Sequence, residues 1–321
     1  MAKALVVNCS QGYNLGANKV KNYLVGQGYD VTFETGDPGP MFTTGYDLVA
    51  LSVIFSYHAR TARDIAVRVK GNSDVWAGGP GLFALQKWWA DETELPMTRG
   101  LDFRFEKQPG EYKMTFASRG CPVDCYFCIV PRLEGTEFTL NWDFIPAPFL
   151  CDNNLSALPD EFQNHVISRY KTTETRLMDA NSGFEPITFT EETYRRWKPI
   201  MRGPWRFALD TTSELPQVER MMTILKDEPA GKKRVYVLVG NEPIQMCYER
   251  AIKVIEWGGE PYVQPIMALN TLERKPQVKL DWTEQKLQDM ARWANRWIYR
   301  TVRLEDYAPR VDSLAPFKGL V

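Results

Sequence analysis

The sequence predicts an α/β protein with a small doubly wound N-terminal domain, a partial (βα)6 barrel and a C-terminal helix. Short apolar runs, typical of buried parallel strands, alternate with segments whose apolar residues recur at helical spacing. The length of 321 residues corresponds to about two domains. Hydrophobic residues make up 44% of the chain and charged residues 25%, which excludes a disordered or fibrous protein.

The first hundred residues contain the pattern of the doubly wound domain. Apolar runs predict strands at residues 3–8, 31–33, 48–55 and 75–76, and helical spacing predicts helices at 19–26 and 61–70. In such a domain ligands bind at the carboxyl ends of the strands, here near residues 10–14, 56–58 and 78–81. We assign residues 1–109 to this domain, since residues 82–111 are weakly periodic and typical of a connector.

A second alternation of strands and helices follows and predicts the barrel. The strands fall at residues 113–117, 148–151, 175–178, 206–209, 235–239 and 262–265, with helices at 159–170, 191–198, 216–226 and 246–257. Eight units need roughly 250 residues, so six units in residues 110–270 favour an incomplete barrel. Residues 271–321 form the C-terminal extension, with a helix at 282–299.

Charge and cysteine content limit the classes of function. Lys and Arg number 39 and Asp and Glu number 40, so the net charge of −1 gives no global attraction to nucleic acid or anionic lipid. No apolar run reaches the roughly 18 residues of a membrane span, and no signal peptide is evident, so we expect a soluble cytoplasmic protein without a membrane partner. Three of the six cysteines lie within eight positions, which favours a metal site over a disulfide framework.

The clustered cysteines are Cys121, Cys125 and Cys128, with the spacing C-x3-C-x2-C directly after the first predicted barrel strand. Soft thiolates select iron–sulfur clusters, zinc or copper(I). Structural zinc usually takes four protein ligands, but the sequence has neither a second cysteine pair nor a nearby histidine. Three cysteines therefore favour a 4Fe-4S cluster with one iron left open.

This spacing, together with Phe127 before the third cysteine and the position after the first strand, resembles the radical S-adenosylmethionine (SAM) enzymes. In that family the three cysteines hold a 4Fe-4S cluster and SAM chelates the open iron. Reductive cleavage of SAM then gives a 5′-deoxyadenosyl radical that abstracts hydrogen from a substrate. The resemblance implies an oxygen-sensitive enzyme with a small-molecule or peptide substrate and a low-potential electron donor such as flavodoxin or ferredoxin.

The resemblance also implies which residues contact SAM. Phe127 would pack near the adenine, and the residues that follow the barrel strands would bind the rest of the molecule. These are Asp152, Asn153 and Asn154 for the amino group, Asp179 at the next strand end, Asp210 and Thr211 for the ribose or carboxylate, and Val239 and Gly240 for the adenine edge. Polar residues after strands also commonly cap the next helix, and that alternative stays open.

The remaining cysteine and histidine candidates are less specific. Cys151 precedes Asp152 and is a candidate catalytic hydrogen donor, although free cysteines are commonly small buried hydrophobes. The two-domain order resembles radical SAM proteins with an N-terminal cobalamin-binding-type domain. The loop at residues 8–16 lacks the His and Asp of the Asp-x-His-x-x-Gly motif, and His58 lies in another loop. Cobalamin with methyl transfer and a cofactor-free domain are therefore both open.

Three alternative functions compete with this one. A methylthiotransferase-like enzyme needs three cysteines in the first domain, where only Cys9 is present, and a small RNA-binding domain for which no room is left. A non-catalytic iron–sulfur or zinc protein could use the same thiolates as an electron carrier or sensor. Nucleic acid could bind a segment of interleaved basic and aromatic residues, made up of Tyr194, Arg195, Arg196, Trp197, Lys198, Arg202, Trp205 and Arg206.

Overall fold

The computed structural model describes residues 1–108, 110–181, 183–309 and 315–319. Internal contacts divide the chain into two compact units. The first comprises Met1–Thr115, Arg119–Ile145 and Leu269–Arg274, and the second Phe116–Ser118, Pro146–Ala268 and Lys275–Val321. The segment with the three clustered cysteines thus packs with the first unit, while the predicted domain ranges remain predictions.

The first unit contains a four-stranded sheet with helices on both faces. Its strands are β1 Lys3–Asn8, β2 Asp30–Thr35, β3 Leu48–Ser52 and β4 Asp74–Gly78. Its helices are α1 Leu15–Gly26, α2 Ala59–Val69, α3 Pro80–Phe83, α4 Gln86–Thr93, α5 Phe103–Glu106 and α6 Val130–Glu134. Short strands lie at β5 Met114–Thr115 and β7 Thr139–Leu140, and β6 Ser118–Arg119 lies where the ranges of the two units meet along the chain.

The sheet has the strand order β2-β1-β3-β4 with all pairings parallel. Side chains alternate between two buried cores, because successive residues of a strand point to opposite faces. Leu5 and Val7 contribute to the core that also contains α2 and Trp89, whereas Ala4 and Val6 contribute to the core with Leu24 of α1. The order confirms the predicted doubly wound α/β class and puts the crevice for ligands at the carboxyl ends of β1 and β3.

The second unit alternates strands and helices throughout. Its strands are β8 Phe149–Leu150, β9 Asp179–Ala180, β10 Trp205–Leu209, β11 Lys233–Val239 and β12 Glu260–Pro265. Its helices are α7 Asp160–Thr172, α8 Glu191–Trp197, α9 Leu215–Ile224, α10 Ile244–Glu256 and α11 Glu284–Asn295. Parallel pairing joins β10, β11 and β12, joins β8 and β9, and links the two groups through a bridge between Leu177 and Met201. This agrees with the predicted α/β class, and the number of barrel units remains a prediction.

Two of the strands predicted for the barrel are shorter in the structure than the apolar runs that predict them. The predicted strand at 113–117 is interrupted, and the one at 175–178 is replaced by β9, Asp179–Ala180. At the first position the carboxylate of Asp152 accepts the N–H groups of Ala117 and Ser118, between β5 and β6 and at the start of β6. No helix in the described part of the chain is long and apolar enough to cross a membrane.

Candidate functional site

The loop that carries the clustered cysteines begins at a glycine that backbone geometry requires. Gly120 has a φ of 90°, in the left-handed region, and a Cβ there would overlap the carbonyl oxygen of Glu137. The N–H of Cys121 donates to the carbonyl of Gly135 at 3.2 Å. The start of the loop is therefore joined to the chain that leaves it, and the segment between forms a closed ring.

Within the ring the cysteines lie on a turn that leads into α6. The N–H of Cys128 donates to the carbonyl of Cys125 at 2.9 Å, and the N–H of Val130 donates to Sγ of Cys128 at 3.4 Å. Cys121, Cys125 and Cys128 are half-buried thiols that form no disulfide. Phe127 packs edge-on against the exposed Tyr126, with ring centroids 5.1 Å apart. Among the described residues, no three His, Cys, Asp or Glu side chains lie close enough together to hold a metal ion.

Sequence reasoning missed a line of four alternating charges that reaches this ring. Nζ of Lys19 lies 3.0 Å from Oε2 of Glu106, whose Oε1 lies 3.6 Å from Nη2 of Arg119. Nη1 of Arg119 lies 3.5 Å from Oε1 of Glu134, and Oε2 of Glu134 accepts the N–H of Gly120 at 3.0 Å. The sequence gives no signal for this line, because its members are 13 or more positions apart and lie in different elements.

The first predicted SAM contact is a buried carboxylate. Asp152 is fully buried and accepts hydrogen bonds from the N–H of Ala117 at 2.8 Å and from the N–H and Oγ of Ser118 at 2.6 and 2.5 Å. It thereby fixes the chain just before the cysteine segment. Its predicted contact with an amino group stays a prediction.

The neighbours of Asp152 divide between buried and half-buried positions. Asn154 is buried, and its Oδ1 accepts the N–H of Ala157 at 3.2 Å, as in a capping turn. Asn153 is half-buried. Cys151 is only 8% exposed, so its thiol lies in the core of the second unit.

Asp179 is engaged in an ion pair. Nε of Arg206 donates to its Oδ1 at 2.6 Å, and Nη2 of Arg206 donates to its Oδ2, so the pair is bidentate. Arg206 also donates to the hydroxyl of Tyr236. This arrangement ties together the side chains of β9, β10 and β11.

Asp210 and Thr211 lie at the carboxyl end of β10 in a turn that begins α9. Glu214 accepts the N–H of Asp210 at 2.6 Å and completes a capping box with Thr211. Burial, with the nearby charge of Glu214, raises the pKa of Asp210 to about 7, although the guanidinium of Arg250 opposes the shift. Asp210 therefore changes charge near neutral pH, which suits a group that holds or moves a proton.

A fully buried arginine underlies this strand end. Arg250 donates to the carbonyl of Leu209 at 2.7 Å, and its Nε lies 3.1 Å from Oε2 of Glu242. Asn241 donates to the carbonyl of Asp210 at 2.6 Å. These contacts connect the ends of β10 and β11, and neither Arg250 nor Glu242 was identified from the sequence.

The predicted adenine-edge residues lie where backbone packing is tight. Val239 is fully buried. Gly240 has a φ of 96°, and a Cβ there would lie 3.1 Å from Cγ2 of Ile266 and 3.2 Å from Cδ2 of Leu287. A side chain at this position would be strained and crowded, so the site requires glycine.

The carboxyl edge of the first unit is held by amide side chains. Oδ1 of Asn8 accepts Nδ2 of Asn14 at 3.0 Å, and Nδ2 of Asn14 also donates to Oγ of Ser52 at 3.0 Å. This connects the loops after β1 and β3. Cys9 in the same loop is 3% exposed, and burial raises the pKa of its thiol to about 12, which keeps it protonated.

An aromatic cluster follows β3 at this edge. Phe55 and Tyr57 stack with centroids 5.3 Å apart, and the imidazole of His58 lies 4.5 Å from the ring of Tyr57. Nδ1 of His58 is buried and has no hydrogen-bond partner among the described residues. Burial, and then the charge of Arg274, lower the pKa of His58, so the imidazole is neutral at pH 7.

The basic and aromatic residues at 194–206 do not form an exposed stacking platform. Trp197 is fully buried and Trp205 is 2% exposed, and both belong to an aromatic core with Phe184. Most of the cations have acidic neighbours: Arg195 with Glu191, Arg196 with Asp160 and Glu192, Lys198 with Glu228, and Arg206 with Asp179. Stacking of bases needs exposed rings, which these two tryptophans do not supply.

Comparison with solved structures finds a similar fold. A radical S-adenosylmethionine methyltransferase, TsrM from Kitasatospora setae, solved with cobalamin and a 4Fe-4S cluster bound, is similar with a TM-score of 0.63 and 11% sequence identity. The match covers 82% of this chain and 72% of that chain. No protein-family model matches the sequence, and no curated protein matches it. The chain therefore shares the fold of a radical SAM protein.

Proposed function

We propose that the protein is a radical SAM enzyme in which Cys121, Cys125 and Cys128 hold a 4Fe-4S cluster. The observation that carries the proposal is the C-x3-C-x2-C ring directly after β6, in a chain with the fold of a radical SAM methyltransferase. When bound, the cluster would supply the electron that splits SAM into methionine and a 5′-deoxyadenosyl radical. The 5′-deoxyadenosyl radical would take a hydrogen atom from the substrate, giving 5′-deoxyadenosine and a substrate radical.

The donor set of the ring fits such a cluster. Its three soft thiols are half-buried, which limits water but leaves a path for ligands. Three cysteines rather than four match a cluster with one iron open to a small molecule. The thiols would converge on loading, because metal binding is coupled to ordering of the loop that carries the ligands.

The other proposed SAM contacts are residues that follow β8, β10 and β11. Asn153 is half-buried at the end of β8, and we assign it to the polar groups of SAM with Asp152 and Asn154 fixing its loop. Asp210 is assigned to hydroxyl or amino groups because its carboxylate changes protonation state near pH 7. Gly240 would allow close approach of a planar ring to the backbone after β11, since it has no side chain. The substrate class, a small molecule or peptide, is part of the proposal, as is a flavodoxin or ferredoxin donor.

Anaerobic reconstitution with iron and sulfide tests the proposal. We expect about four iron atoms per chain and the visible absorbance of a 4Fe-4S cluster. Addition of SAM and dithionite should then release 5′-deoxyadenosine, measured by mass spectrometry. Cys125→Ala should lose both iron and product, whereas Cys9→Ala, which removes a buried thiol outside the ring, should keep both. Zinc in place of iron, or a cluster that leaves SAM intact, would instead indicate a structural zinc protein or an electron carrier.

Methyl transfer through cobalamin is the second candidate. It is favoured by the buried Nδ1 of His58, which has no hydrogen-bond partner among the described residues and lies beside an aromatic cluster at the carboxyl edge of the first unit. Incubation with hydroxocobalamin followed by desalting should leave corrin absorbance with the wild-type chain and less with His58→Ala. Equal loss of corrin from both proteins would remove this candidate and leave hydrogen abstraction.

A further inference from the structure

We propose that Glu134 and Arg119 are positioning residues that hold the cysteine ring closed and set the charge around it. The inference rests on the proposed function, since it concerns the three cysteines as cluster ligands. It goes beyond that function because it assigns roles to two charged residues that do not belong to the cysteine motif.

The first argument is geometric. Oε2 of Glu134 accepts the N–H of Gly120 at 3.0 Å, one residue before Cys121, and Glu134 itself ends α6, the helix after the third cysteine. The same carboxylate thus joins the two ends of the ring, next to the backbone bond between Cys121 and Gly135. No other residue fits at position 120 without strain, because the backbone there is left-handed and a Cβ would overlap the carbonyl oxygen of Glu137. Ring closure therefore combines one backbone bond with a side-chain acceptor.

The second argument is electrostatic. The side chains of Arg119 and Glu134 are 17% and 7% exposed. The line of alternating charges continues away from the ring through Glu106 and Lys19, whose side chains are 17% and 8% exposed. Two cations and two anions balance in the sequence Lys19, Glu106, Arg119, Glu134. Charges in such a poorly hydrated place are weakly screened, so loss of one of them changes the local field more than a surface charge would.

Removal of the Glu134 charge should thus have two separable effects. Glu134→Gln keeps an oxygen that can accept from Gly120 but removes one of the two negative charges beside Arg119, so the reduction potential of a bound cluster should become more positive. Glu134→Ala also removes the acceptor, so the ring should open more often. Because a hydrogen bond to a charged group is stronger than one between neutral groups, its loss should make amide exchange at Gly120 and Cys121 roughly tenfold faster or more.

The test uses the 321-residue chain and the matched control Glu137→Gln, which makes the same change on an exposed side chain two residues after the ring. The rate of amide hydrogen exchange in the metal-free protein measures how often the ring opens in the absence of a cluster. Redox titration monitored by electron paramagnetic resonance spectroscopy measures the reduction potential of the cluster after reconstitution. We expect faster exchange only in Glu134→Ala, and a raised potential in Glu134→Gln but not in Glu137→Gln. Far-ultraviolet circular dichroism confirms that each variant is folded.

The outcomes separate the two proposals. If the wild-type chain binds a cluster and Glu134→Ala exchanges its ring amides at the wild-type rate, the positioning role is refuted and the enzyme assignment stands. An unchanged potential in Glu134→Gln refutes the electrostatic part. If the wild-type chain takes up no cluster, the proposed function fails, while faster exchange in Glu134→Ala still establishes ring closure by Glu134.

Discussion

The carboxyl of Asp210 offers a direct test of the electrostatics at the end of β10. Its pKa is raised from 3.8 to about 7, first by burial and then by the charge of Glu214. The substitution Asp210→Asn replaces a carboxyl that is costly to ionise with a neutral group of similar size. It leaves the backbone N–H that donates to Glu214 in place.

The expected magnitude follows from linkage between proton binding and folding. The unfolded chain releases the Asp210 proton near pH 3.8 and the folded chain near pH 7, so the folded state binds more protons between these values. Stability is therefore lost as the pH rises from about 4 to about 7. A shift of about three units at 1.36 kcal/mol each gives an upper value of about 4 kcal/mol, reduced by partial contact of the side chain with water. We expect Asp210→Asn to be more stable than wild type by about 2–4 kcal/mol at pH 8 and equal to it near pH 4.

Urea unfolding of both proteins between pH 4 and pH 8 measures this difference. Glu185, whose pKa burial also raises, is present in both proteins, so the effect of its burial is common to both stability curves. Parallel stability curves for Asp210→Asn and wild type would refute the reasoning, as would a variant that is less stable at pH 8. Parallel curves would mean that Asp210 ionises in the folded chain as readily as in water.

Two further predictions concern the first unit. Gly79→Ala should destabilise the protein by more than about 2 kcal/mol in urea unfolding, because Gly79 has a φ of 106° and an added Cβ would overlap the carbonyl oxygen of Val53. Gly28→Ala should cost only about 1 kcal/mol, because Gly28 has a φ of 84° but open space around it. Equal costs would contradict the packing argument. His58 should titrate below pH 6.5 in nuclear magnetic resonance spectra, in which the signals of the two histidines of the chain can be followed. Arg274→Gln should raise the pKa of His58, because a repelling charge is removed. An unchanged pKa would exclude the influence of Arg274.

Much of the architecture could be predicted from the sequence because it depends on local patterns. The apolar runs at β1 and β3 are buried on both faces of a parallel sheet, as continuous hydrophobic strands should be. The long helices α7 and α10 were expected from apolar residues at helical spacing. The short strands were less predictable, because β9 depends on which neighbouring segment lies close enough to pair with it.

The site could be predicted only in part for the same reason. Cysteine spacing is a local property, so it identified Cys121, Cys125 and Cys128 as one group of thiols on one loop. The bidentate pair of Asp179 and Arg206 spans 27 positions and depends on the packing of neighbouring strands. No pattern in the sequence indicates that a strand-end carboxylate has an arginine beside it.

The sequence by itself therefore determined the α/β class, the two alternations of strand and helix, and the compact group of soft ligands. Tertiary structure decided the partners of each charged group: Glu134 with Gly120 and Arg119, and Arg250 with Glu242. The physical reason is that hydrophobic periodicity acts between residues a few positions apart, whereas desolvation and ion pairing depend on segments brought together by folding. Burial and charge, which set the pKa of Asp210, arise only when those segments pack.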